Sequence, residues 1–87
     1  MNPAWTEWLD RVVAAVAPIP EVEAVYRGNF NLFPAVYVIG KGIKGKSYQA
    51  VMDAINAIHD PPYAHAKLIG AEPLAGTHLV WKRPVGA

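Results

Sequence analysis

Residues 32–47 read LFPAVYVIGKGIKGKS, and the fold turns on what the second half of that stretch is. Leu32 to Ile39 is the most strand-like run in the chain, and both of its alternating faces are apolar. That pattern predicts a strand in the middle of a sheet. Pro34 stands near its start, where a missing backbone donor costs least. Gly40 to Ser47 then satisfies the phosphate-loop pattern G-x-x-x-x-G-K-[ST]. A working phosphate loop needs a surrounding sheet, a second strand ending in a magnesium-binding carboxylate, and residues that position water. Only 40 residues follow Ser47, and neither later strand candidate ends in an acid. The stretch therefore reads as strand, connection and helix within a small α+β domain.

Upstream, Asn2 and Pro3 suit the cap and first position of a helix. Trp5, Trp8, Leu9, Val12, Val13 and Val16 recur at helical spacing and form one apolar stripe, with Glu7, Asp10 and Arg11 off it. Pro18-Ile19-Pro20 ends that helix. Val22 to Arg27 alternates like a strand, and Gly28-Asn29-Phe30-Asn31 carries turn chemistry. Downstream, Ser47 is placed to cap a second helix bearing Tyr48, Val51, Met52, Ile55, Ile58 and His59 on one side, stopped by Asp60-Pro61-Pro62. Tyr63 to Ile69 and Thr77 to Lys82 read as two further strands, joined by residues 70–76. The order α-β-β-α-β-β predicts a single domain over residues 1–87, with a four-stranded, mainly antiparallel sheet and both helices packed on one face.

A chain of 87 residues holds one core and buries only about 60–65% of the surface its unfolded form exposes. Small domains usually supplement such a core with disulfides, a metal or partner subunits. Cysteine is absent, and His59, His65 and His78 are too few and scattered for a metal cage. With 53% hydrophobic residues and 17% charged, the composition points to association with other subunits. The net charge of +1 gives no global drive toward nucleic acid or anionic membrane. No stretch approaches the roughly 18 apolar residues of a membrane span. Glu7 and Asp10 interrupt any signal-peptide order, so a soluble, non-exported chain is expected.

Candidate sites are few. Lys41, Lys44 and Lys46 crowd one loop, with Arg27 following the same basic trend. The loop could bind an anion through its amides and lysines, or it could be a solvated connection in which Gly40, Gly42 and Gly45 supply turn geometry. Trp5, Trp8, Trp81 and Phe33 are expected in the core or at a subunit interface, with ligand stacking as the alternative. Ser47 has no histidine near it in sequence, His59 suits a helix end, and Asp53, Asp60 and Glu72 suit surface, stop and turn. His65 and His78 fall on separate strands that could be neighbours. No catalytic residue, metal ligand, cofactor or small-molecule substrate is assigned.

Two local resemblances attach to the loop. A strand, IGKGIKGK and a helix resemble the G-x-x-G clamp of KH modules, and equally the strand-to-helix lysine turn of Alba chromatin proteins. Neither family's surrounding helix order is reproduced.

A broader resemblance spans most of residues 5–83. The chain looks like a reduced version of the tail terminator and minor capsid proteins of long-tailed phages. An N-terminal helix and strand precede a proline-introduced strand, Phe33-Pro34-Ala35-Val36-Tyr37-Val38-Ile39. A helix with a similar pattern, residues 50–58, follows. Glu72-Pro73-Leu74-Ala75-Gly76 then leads into Leu79-Val80-Trp81. The longer excursion such proteins commonly carry before the second helix is replaced here by the lysine loop. The resemblance implies a virion subunit that closes into a ring with copies of itself, commonly hexameric, at the head–tail junction. It implies contacts with other tail or capsid proteins, no catalysis, and residence in the virion after assembly in the host cytoplasm. The lysine loop would touch a neighbouring protein or DNA. The alternatives are a small nucleic-acid-binding domain using residues 40–47, and after it a nucleotide-binding phosphate loop.

Overall fold

The chain runs α1 (Pro3–Val16), β1 (Ala24–Phe30), β2 (Phe33–Ile39), α2 (Lys46–Asn56), β3 (Ala66–Gly70) and β4 (His78–Lys82). This is the expected α+β order, seen in a computed structural model that describes residues 3–85. Asn2, expected as a cap, lies outside the described residues.

The sheet is mixed, with strand order β3-β2-β1-β4. β1 pairs antiparallel with β2 and with β4, whereas β2 pairs parallel with β3. The departure from an antiparallel sheet has a plain cause. After β2 the chain returns through α2, and a helical return brings the next strand in alongside with the same direction. β3 and β4 therefore end up on opposite edges of the sheet instead of forming a final pair.

The apolar stripe of α1 does what its spacing requires. Trp5, Trp8, Leu9, Val12 and Val16 are buried, and Val13 packs against the same cluster. From α2 come Val51 and Ile55, from the sheet Val25, Val36 and Val38, and from the entry to β1 Val22. Both helices thus cover one face. Every residue from Ala35 to Gly40 is buried, as expected of a central strand.

β1 overruns its expected end. The ladder with β2 continues to the pair Phe30↔Phe33, leaving Asn31 and Leu32 as a two-residue turn. Both have positive φ, 50° and 72°, the pattern of a type I′ hairpin turn. Paired strand hydrogen bonds have here overridden the turn chemistry of residues 28–31. α2 ends at Asn56, before Ile58 and His59; the Ile58 amide bonds to Ile55 O and tightens the last turn. β3 begins later than expected, because Tyr63 and His65 are engaged with α1 through ring contacts to Trp5.

The connection from β3 to β4 must cross from one edge to the other, and it passes over the face without helices. Residues 71–77 form this strap. A Cβ on Gly28 would lie 3.1 Å from Thr77 Cγ2 and 3.2 Å from a Tyr37 ring carbon, so the bare backbone at Gly28 makes room for the strap. Beneath it Ala24, Ala35, Tyr37 and Ile39 form a second, smaller core, flanked by Tyr26, Ala66 and Leu68. The Tyr37 hydroxyl donates to Asn29 O at 2.9 Å.

Arg83, just past β4, holds the α1–β1 connection. Its Nε donates to Val22 O at 2.9 Å, and one terminal nitrogen donates to Ala17 O at 2.8 Å and Ile19 O at 3.0 Å. These carbonyls follow the C-terminus of α1, where backbone acceptors lack helical partners and a positive charge suits the dipole. Pro18 and Pro20 break the helix, and Arg83 satisfies what the break leaves.

Candidate functional site

The glycine–lysine loop links β2 to α2, so the parallel β2-α2-β3 unit gives it the setting of a phosphate loop. Its interior chemistry is different. The Lys41 amide donates to the Glu23 carboxylate at 2.7 Å, which places a negative group where a phosphate would need donors. The Lys44 amide donates to Ser47 Oγ at 2.9 Å, and the Ser47 amide bonds to Lys44 O at 3.2 Å. Ser47 Oγ in turn reaches Lys44 O or Gly42 O, at 2.9 and 3.2 Å. Ser47 is therefore a buried loop staple. The N-cap of α2 falls instead on Gly45, with φ 58° and no side-chain cap. Gly40 has a steric role: a Cβ there would lie 2.1 Å from Glu21 O. Lys41, Lys44 and Lys46 are all exposed, and among the described residues none of the three forms an ion pair.

Arg27 is not part of that loop. It lies further along β1, on the helix-bearing side, and pairs in register with His78 of β4. Together with Trp5, Asn29 and Tyr63 it lines a cleft of about 470 Å³. His65 and His78 belong to opposite sides of the sheet order and are not neighbours. Among the described residues, no group of three or more His, Cys, Asp or Glu is placed to hold a metal.

Of the four aromatic residues expected in the core or at a subunit interface, Trp5 and Trp8 lie in the core. They are 5% and 3% exposed, because the helix stripe that carries them is the face pressed on the sheet. Their rings stack at 5.1 Å, and His65 meets Trp8 edge-on at 5.2 Å. Lys67 closes this cluster, paired with Asp60 at 3.0 Å and bonded to Asn56 at 3.0 Å. Trp81 is half-buried, with the Arg83 guanidinium 5.3 Å from its ring centroid.

Phe33 is exposed, and it is not alone. It faces Phe30 across the hairpin, and both are nearly half exposed, while Leu32 at the tip is 96% exposed. Leucine at φ 72° is unusual, since a side chain there crowds the backbone and glycine or asparagine is the ordinary choice. Leu79 is also exposed, on the same face of the sheet as Tyr26, its register partner. Sequence reading missed the tip because residues 28–31 carried the stronger turn signal. The signal that could have found it was the apolar triplet Phe30, Leu32 and Phe33 around a single asparagine.

Among the described residues, no helix is long and apolar enough to cross a membrane. Compared with protein-family models, curated proteins and solved structures, the chain matches none of them.

Proposed function

We propose that this chain is a non-catalytic structural subunit that assembles with copies of itself into a ring, in the manner of the tail terminator and minor capsid proteins of long-tailed phages. The observation that carries the reading is the hairpin tip. An almost fully exposed leucine in a strained backbone, between two half-exposed phenylalanines, has no use in an isolated globule. Exposed apolar clusters of this kind mark partner surfaces, and backbone strain concentrates where a segment has a binding task. The free edges β3 and β4 add backbone donors and acceptors on opposite sides of the subunit, which suits a head-to-tail contact that closes into a ring.

Light scattering at micromolar concentration tests this directly. The expected result is a particle several times the chain mass, reduced to a monomer by the pair Leu32→Gly and Phe33→Ser. A wild-type chain that stays monomeric across that range rules out self-assembly.

A second reading follows from the unpaired lysines. A loop with three exposed, unpaired ammonium groups suits a nucleic-acid backbone. Binding would then weaken with salt, and alanine at Lys41, Lys44 and Lys46 would lower the salt slope by about one unit per lost phosphate contact. A slope unchanged by the triple substitution removes this alternative.

A further inference from the structure

Among the described residues three cations are half-buried: Arg27, Lys67 and Arg83. Lys67 is paired with Asp60, and Arg83 donates to three backbone carbonyls. Arg27 differs. No hydrogen bond, ion pair or ring contact engages its side chain among the described residues, and no carboxylate lines the cleft it enters. A guanidinium partly withdrawn from water gains from a charged partner, and this one has none among the described residues.

A second observation lies in the same cleft. Tyr63 forms part of its wall, and Tyr63 Oη is buried without a hydrogen-bond partner. Buried hydroxyls are nearly always bonded, so an orphan calls for an explanation. Trp8 Nε1, outside this cleft, is in the same state, and Tyr63 is the one of the two that lines the cleft. The remaining surroundings define what would fit. Trp5 and Tyr63 rings, 6.5 Å apart and tilted by 54°, give an apolar wall, and Pro34 extends it. His78 stands beside Arg27 across the β1–β4 ladder. Trp5 belongs to the first turns of α1, so the positive end of that helix dipole lies at this end of the sheet.

We propose that this cleft binds a single carboxylate carried on a flat apolar group. Arg27 grips the carboxylate with two parallel N–H···O bonds, and the Trp5–Tyr63–Pro34 wall receives the ring. One fixed positive charge matches one negative charge; a phosphomonoester brings about −1.5 to −2 and would want a second cation. A volume of about 470 Å³ suits a ligand of small-molecule size. Two sources share this chemistry: a free arylalkanoic acid, and the C-terminal aromatic residue of a peptide.

The test titrates the isotope-labelled chain with indole-3-acetate and with N-acetyl-Gly-Phe, each beside its uncharged amide, and follows amide signals by NMR. The acids are expected to give saturable shifts at Arg27, Tyr63 and His78, with the amides about tenfold weaker. Arg27→Gln should reduce each acid to the affinity of its amide, and Arg27→Lys should fall between. Saturation by the free acid alone assigns a small-molecule ligand; saturation by the peptide alone assigns a chain terminus. Amides that bind as tightly as acids overturn the proposal, as does the absence of saturable shifts with either acid up to about 10 mM. An unchanged affinity in a folded Arg27→Gln variant also overturns it. If that variant does not fold, the acid–amide contrast in the unaltered chain decides the matter.

Discussion

On one face of the sheet Val25, Val36 and Val38 lie fully buried under two helices; on the other Ala24, Ala35, Tyr37 and Ile39 are nearly as well buried with no helix over them, packed by Tyr26, Ala66 and Leu68 beside the strap of residues 71–77. Both faces are apolar, yet one is covered by a thick layer and the other by a strap. The difference lies in side-chain size. Branched valines stand tall and need facing side chains from α1 and α2 to fill the space between them. On the other face, Gly28, Ala24, Ala35 and Ala66 are small, so Tyr37 and Thr77 can lie across them and exclude water. A thin cover seals only the middle of a face. Toward the hairpin end, Phe30 and Phe33 remain exposed, and toward the β4 edge so does Leu79. The economy of the second face is what leaves apolar surface exposed.

Four substitutions break or sharpen this contrast, each read from urea unfolding. Ile55→Ala, which empties a fully buried site under α2, should destabilise by about 2–5 kcal/mol through lost burial and an unfilled cavity. Arg83→Ala should cost about 2 kcal/mol, because Ala17, Ile19 and Val22 carbonyls lose charged donors at the seam between helix and sheet.

Gly28→Ala tests the strap. The added methyl presses on Thr77 and Tyr37, and should cost about 1 kcal/mol as the strap gives way. A loss as large as that of Ile55→Ala would mean that the strapped face is packed as rigidly as the helical one. Leu32→Gly should have the opposite sign. Relief of the left-handed conformation is worth about 1–2 kcal/mol, and glycine's greater chain entropy returns about 0.5–1 of that. The monomer should gain about 0.5–1 kcal/mol while assembly weakens. Equal assembly in both forms would show that the tip is not the contact.

Much of this architecture is legible in the order of the residues. The α1 stripe was legible because helical spacing is a local property, and five of its six apolar residues are buried. The central place of β2 followed from its two apolar faces. Strand ends were less legible, since Phe30 can be turn or ladder until β2 is known to run beside it. The candidate sites were least legible. Trp5 and Trp8 could not be assigned to core or interface from spacing alone, since the same stripe serves either. Arg27 and the lysines look like one basic group in the chain, yet the sheet carries Arg27 to a different cleft.

Residue order and short-range sterics settled where helices and strands form, which side of α1 is apolar, and that the chain makes one small α+β body. Pairing between distant segments settled the rest: the parallel β2–β3 contact, the strap over the second face, the carbonyls held by Arg83, and the exposed hairpin tip. Those features depend on which strands meet and in what direction. Each such meeting is a balance among many weak contacts brought together by folding, and no single stretch of residues encodes it.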